Sequence, residues 1–316
     1  MREVAIVLAL LCLRGWQPAQ GACDDSHYIG FDSRVSARLL ARLPVTRELV
    51  TGFAVAGDRP IVLLRDRLLI YGSGLPSEVR LPYTATGLSV DAGGRLRVQH
   101  GGAVDLLSDG VLRPDTSVNP AGRLFGSNMP VLLDAFGEEG VQKFVFLRPG
   151  ADSFGLAGAH GELRAAFWGD AGMAAVVEQS LYVWEDGSKQ FVRLAMDRGL
   201  ARAQSVCLVT AGHAVVALLG ILVVVTGEDQ IVLAGMAARC DAHNGILYAI
   251  DERTGEIWSV AGIEKMGNFH EDERHARSLI LGMPANAGEN APAFLEAARI
   301  IGCDRARKLF AERTVK

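Results

Sequence analysis

The strongest constraint on what this chain can become is a segment that occurs twice. Asp170 to Leu194 (DAGMAAVVEQSLYVWEDGSKQFVRL) can be set above Thr210 to Ala234 (TAGHAVVALLGILVVVTGEDQIVLA) without a gap, a shift of 40 residues. Ala171-Gly172 then falls on Ala211-Gly212, Leu181 on Ile221, Val183 on Val223, Gly187 on Gly227, Gln190 on Gln230 and Val192 on Val232. A second pair recurs at a shift of 36, with Gly57, Val62, Leu68, Ile70 and Gly74 over Gly93, Val98, Val104, Leu106 and Gly110. A unit of this size buries its apolar face only against copies of itself, so the chain must stack or close its repeats.

Within each unit, apolar or alternating runs of four to seven residues are separated by Gly, Asp-Gly or Gly-Glu turns, which is the pattern of antiparallel hairpins. Gly is common at 36 residues and Pro scarce at 11, which suits many tight turns. Units begin near Thr51, Thr86, Gly122, Ala165, Ser205 and Ala237, at the roughly 40-residue spacing of WD40-like blades. The sequence therefore predicts an all-β chain, a β-propeller of six four-stranded blades over 51–265. Gly122 to Gly158 is the least regular unit. Residues 23–50 are expected to supply a ring-closing strand, and seven blades follow if 24–50 hold further strands.

The last unit carries a more specific pattern. Asn244 to Trp258 reads NGILYAIDERTGEIW and resembles the PQQ-like propeller repeat. The resemblance implies that Asp251 and Thr254 hydrogen-bond within the turn, that Gly255 adopts a conformation closed to other residues, and that Trp258 packs between blades. It covers about fifteen residues of one blade. Propellers with this repeat include both quinoprotein dehydrogenases and assembly scaffolds, so it implies a fold rather than a cofactor.

Residues 1–22 read as a secretory signal peptide: Arg2, a ten-residue apolar stretch from Val4 to Leu13, then small residues at Gly21 and Ala22. Cleavage after Gly21 places Ala19 at the −3 position. Lipidation at Cys23 is the weaker alternative, because Gln20 stands where an apolar residue is expected. The mature chain would keep Cys23, Cys207, Cys240 and Cys303, an even number in an oxidising compartment. First strands of adjacent blades converge on the channel, which favours Cys207 with Cys240 and Cys23 with Cys303. Buried free thiols at 207 and 240 are the alternative. Val206 to Val225 is long and apolar enough for a membrane span, yet its Gly212-His213 break, its Val-rich end and its alignment with the Asp170 unit favour strands.

From residue 266 the strand pattern gives way to a basic helical tail, 266–316. Asn290-Ala291-Pro292 starts a helix with Phe294, Leu295, Ala298 and Ile301 on one face, Gly302 ends it, and Asp304 caps a second helix. His270 and His275 lie five apart and do not share a helical face, so they are not read as a zinc pair.

Net charge is −4, from 32 basic and 36 acidic residues, which argues against nucleic acid as a partner. No phosphate-cradling loop, dinucleotide fingerprint or nucleophile elbow is present, and no cofactor or metal is expected. The expected function is non-catalytic: an exported scaffold that docks another envelope or secreted protein, with membrane association disfavoured. The competing expectation is a propeller enzyme, of lactonase, lyase or quinone-linked oxidoreductase type, whose acids gather at the channel mouth. Asp91, Asp170 and Asp241 stand at similar points in their units and are its candidates.

Overall fold

The computed structural model describes residues 30–314 except 33, 45–48, 91–93, 118–122, 125–130, 137–141, 148–152, 157–160, 186, 228 and 268. Its strands form six four-stranded antiparallel sheets. The chain opens with β1 (Ser36–Arg42). The first sheet holds β2 (Gly52–Ala56), β3 (Arg59–Leu63), β4 (Arg67–Ile70) and β5 (Ser77–Arg80). The second holds β6 (Gly87–Val90), β7 (Leu96–His100), β8 (Ala103–Ser108) and β9 (Val111–Pro114). The third, β10 (Arg123–Leu124), β11 (Val131–Phe136), β12 (Gln142–Leu147) and β13 (Ser153–Leu156), is described by its backbone, Leu124 excepted. The fourth holds β14 (Leu163–Gly169), β15 (Gly172–Val177), β16 (Ser180–Glu185) and β17 (Gln190–Met196), and the fifth β18 (Ser205–Thr210), β19 (His213–Leu218), β20 (Ile221–Thr226) and β21 (Asp229–Ala234). The sixth combines β22 (Ala238–His243), β23 (Ile246–Asp251) and β24 (Glu256–Ala261) with β1.

The ring follows from which strands touch. β6 lies against β2, β2 against β22, β22 against β18, and β18 against β14, so the first strand of each sheet lines the axis. Burial grades outward accordingly: β2 and β6 are buried at every position, whereas the outer strands β5 and β9 are mostly exposed. The core therefore sits between sheets, one cluster spanning the fourth to sixth and others joining sixth to first and first to second. Gly52 shows how close the inner strands come, since a Cβ there would lie 2.9 Å from Leu88 Cβ on the next sheet. Any side chain at 52 must displace that neighbour.

Residues 24–50 supply one described strand, and it completes the sixth sheet instead of starting a seventh. β1 pairs antiparallel with β24 from Ser36↔Ala261 to Arg42↔Glu256, joining the two ends of the ring. Val206 to Val225, the stretch long enough for a span, forms most of β18, all of β19 and most of β20. Among the described residues, no helix is long and apolar enough to cross a membrane.

Gly30–Phe269 forms one compact unit, and His270–Lys316 belongs to a second. The latter holds three helices, α1 (Phe269–Leu281, entered from the ring unit), α2 (Pro292–Ile301) and α3 (Cys303–Thr314). α1 was not anticipated, because FHEDERHARS gives a weak apolar stripe; Ala276 and Ile280 supply its buried face. In α2 Phe294, Ala297, Ala298, Arg299 and Ile300 are buried, and Leu295 and Ile301 are half-buried against the same core. Phe294 meets Phe310 of α3 edge-on at 5.5 Å between ring centroids. Asp304 lies inside α3, whose first residue is Cys303, and so is not its cap.

Candidate functional site

In the first, fourth, fifth and sixth sheets the turn between first and second strands points to one face of the ring, because consecutive strands are antiparallel. Three such turns meet around a cavity of about 480 Å³ between the fourth, fifth and sixth sheets. The first is Asp170-Ala171, held between the paired Gly169 and Gly172. The second follows Thr210. The third is Asn244-Gly245, where both central residues have positive φ, 51° and 73°, as a type I′ hairpin turn requires.

Asp170 and His243 face each other across this cavity. The Asp170 Oδ2 atom lies 2.6 Å from His243 Nδ1 and also accepts the Asn244 backbone N–H at 3.1 Å. A carboxylate only accepts, so Nδ1 carries the hydrogen, and Nε2 of the neutral ring accepts from the Asn244 side-chain amide at 3.0 Å. Both side chains are partly exposed, Asp170 at 39% and His243 at 27%. A carboxylate that orients an imidazole is the geometry of a general base, although here the outer nitrogen is already occupied by Asn244. On the middle turn, His213 Nε2 lies 2.9 Å from the Met266 carbonyl oxygen and its Nδ1 2.7 Å from Thr210 Oγ1. In the neutral ring Nε2 donates and Nδ1 accepts, which fixes the turn.

Of the candidate acids, Asp170 and Asp241 are described and stand in different surroundings, the one partly exposed at the mouth and the other buried. Asp241 is fully buried within β22 and is not a channel-mouth acid. Its Oδ2 accepts the Val55 backbone N–H at 2.7 Å and its Oδ1 the Ala242 N–H at 2.8 Å, so it clasps the sixth sheet to the first. Tyr248 reinforces that seam with a 3.3 Å hydrogen bond to Asp58, and its hydroxyl is pushed up to about 12 by burial and by the charges of Asp58 and Asp241. Asp91 lies outside the described residues. The Asp170–His243 pair itself is not visible in the sequence, since the two residues sit 73 positions apart on turns of non-adjacent sheets. The only signal was that both lie at the end of a first strand, His243 as the last residue of β22 and Asp170 just past β14.

Cys207 and Cys240, on the neighbouring inner strands β18 and β22, are joined by a disulfide with Cα atoms 6.1 Å apart. Cys303 is disulfide-bonded as well, and Cys23 lies outside the described residues. In the turn of the last unit, Asp251 Oδ1 accepts the Arg253 N–H, Thr254 Oγ1 accepts the Glu256 N–H, and Gly255 takes φ of 71°. Trp258 lies 5.3 Å from Phe31 between ring centroids, the planes tilted by 60°, and Phe31 bridges to Ala234 of the fifth sheet, so the indole packs between sheets.

A closed ring of radially arranged four-stranded sheets, with polar turns gathered at one mouth, defines a β-propeller carrying a short C-terminal helical portion. Solved structures share it. A catalytically inactive variant of virginiamycin B lyase from Staphylococcus aureus, solved with quinupristin, matches with a TM-score of 0.52 at 9% identity, over 72% of this chain and 99% of that one. A chain of the mitotic checkpoint complex matches with a TM-score of 0.50 at 10% identity, over 74% and 93%. The Neurospora crassa Pan2 WD40 domain matches with a TM-score of 0.46 at 11% identity, over 70% and 78%. No family model and no curated protein matches the sequence. At such identities the likeness is one of fold alone.

Proposed function

We propose that this chain is an exported β-propeller that acts as a docking platform for another envelope or secreted protein. The observation that carries the reading is the engagement of two candidate acids, Asp170 at the mouth and Asp241 within the ring. Asp241 holds two backbone amides and Asp170 holds His243 and Asn244, so each serves ring rigidity. A rigid ring with variable loops is the physical requirement of a recognition platform. Export is supported by the Cys207–Cys240 bridge, since disulfides persist in oxidising compartments.

The decisive experiment is affinity purification of the tagged full-length protein from an envelope extract, with mass spectrometry and metal analysis of the eluate. A near-stoichiometric partner that survives moderate salt supports docking. A solitary monomer carrying a tightly bound metal or quinone overturns it. Amino-terminal sequencing of the mature protein tests export separately: Ala22 as first residue supports it, and a retained Met1 refutes it.

A second reading, an enzyme of lactonase or lyase type, rests on the Asp170–His243 pair beside its cavity. Asp170→Asn and His243→Gln would then abolish turnover, whereas for a docking protein both leave capture of the partner nearly unchanged.

A further inference from the structure

The opposite face of the ring carries a larger cavity. In the first and sixth sheets the turns between second and third strands, and the connection from the first sheet to the second, emerge on that face. There a cavity of about 1150 Å³ is walled by Thr51, the Arg65-Asp66-Arg67 turn, Thr86 and Arg239, drawn from the first, second and sixth sheets. Small-molecule sites usually enclose roughly 300–1,000 Å³. This one has room for a ligand of several rings.

Its chemistry combines two kinds of group. Three arginines and one aspartate line the wall. Arg239 is held by Glu252 through Nε at 2.6 Å, which fixes the guanidinium and leaves its terminal nitrogens to act as further donors. Arg67 lies 3.7 Å from Glu78, while Arg65 at the tip of the turn is exposed and makes no ion pair with another described residue. Fixed guanidinium groups suit carboxylate, sulfate or phosphate oxygens. The threonines supply the other kind. Thr51 Oγ1 donates to the Leu63 carbonyl at 3.2 Å and Thr86 Oγ1 to the Gln99 carbonyl at 3.3 Å. With its hydrogen so engaged, each hydroxyl has only lone pairs left for a ligand, and lone pairs recognise O–H donors. A molecule that satisfies both sets carries acidic groups and hydroxyls together.

We propose that this cavity binds an acidic saccharide, with its acidic groups on Arg65, Arg67 and Arg239 and its hydroxyls on Thr51 and Thr86. The site lies on the face opposite the Asp170–His243 mouth and stands independently of the docking reading.

The test is isothermal titration calorimetry of the full chain with trigalacturonic acid, using maltotriose, citrate and hexaglutamate as comparison ligands. Saturable binding of trigalacturonic acid that weakens as salt rises, with none of maltotriose, is the expected result. Arg65→Gln combined with Arg67→Gln should weaken it about a hundredfold, the loss of two charge-assisted contacts at roughly tenfold each. Should that double variant fail to fold, Arg65→Gln alone, at an exposed turn, must still weaken binding severalfold. Thr86→Val should weaken trigalacturonic acid while leaving the acidic peptide hexaglutamate unaffected. No binding of trigalacturonic acid, an affinity unchanged by the arginine substitutions, or hexaglutamate binding as tightly as the saccharide would each overturn the proposal.

Discussion

The Asp241 carboxylate replaces a strand-to-strand hydrogen bond at the point where the ring seals, accepting the Val55 N–H that faces it across the seam. Asp241→Asn presents an amide where an acceptor is needed and leaves a buried donor unmatched, at about 1–3 kcal/mol. For a domain of this size that lowers the melting temperature by roughly 2–10 °C, read by circular dichroism. Asp170→Asn disturbs a partly exposed pair and should cost less than about 1 kcal/mol. Equal losses for the two variants would contradict the difference in burial. Asp115 gives the acid response. Burial pushes its carboxyl up, but hydrogen bonds from Ser117 and Arg97 outweigh burial and hold it below the ordinary carboxylate range. A carboxyl lowered on folding contributes stability that is present above its unfolded pKa, about 4, and that vanishes as pH falls through the lowered value. Asp115→Asn should therefore flatten the loss of stability as pH falls below about 4 in urea titrations. It should also destabilise at pH 7, because Arg97, only 3% exposed, loses the partner at 2.5 Å.

At the scale of elements, the inner strands are both the most buried and the most legible parts of the chain. The repeat placed first strands near Thr51, Thr86, Gly122, Ala165, Ser205 and Ala237, and β2, β6, β10, β14, β18 and β22 start within two residues of those points. Short apolar runs and glycine turns are local signals, so they survive in one sequence. What did not survive were two features set by which sheets face each other, the Asp170–His243 contact and the burial of Asp241. Phe269–Leu281 was illegible for a different reason: its helix buries only a thin stripe in a charged sequence, so its apolar periodicity is faint. The Cys207–Cys240 bridge ties two inner strands directly. Replacing both cysteines by alanine should lower stability by about 2–5 kcal/mol, and adding reductant should lower the wild-type melting temperature toward that of the variant. A wild-type transition insensitive to complete reduction would show that the strands hold without the bridge.

For the molecule as a whole, stability depends on closure. Each inter-sheet core needs both of its sheets, and the sixth sheet lacks its outer strand until β1 arrives. Deleting residues 30–42 should therefore do more than remove one exposed edge. It should broaden the urea transition and expose the β24 edge to aggregation, measured by light scattering. A sharp transition with unchanged midpoint would show that the ring closes adequately by side-chain packing alone.

The pairing of β1 with β24 also sets a clock. The strand made first waits for the strand made last, with roughly 200 residues between them. At about 5–20 residues per second, that interval is on the order of 10–40 s of synthesis. Throughout it the ring lacks its final strand, and a chain kept from its native state is the form in which a protein can still be threaded through a narrow channel. Closure at the last strand turns the order of synthesis into a delay before the fold commits.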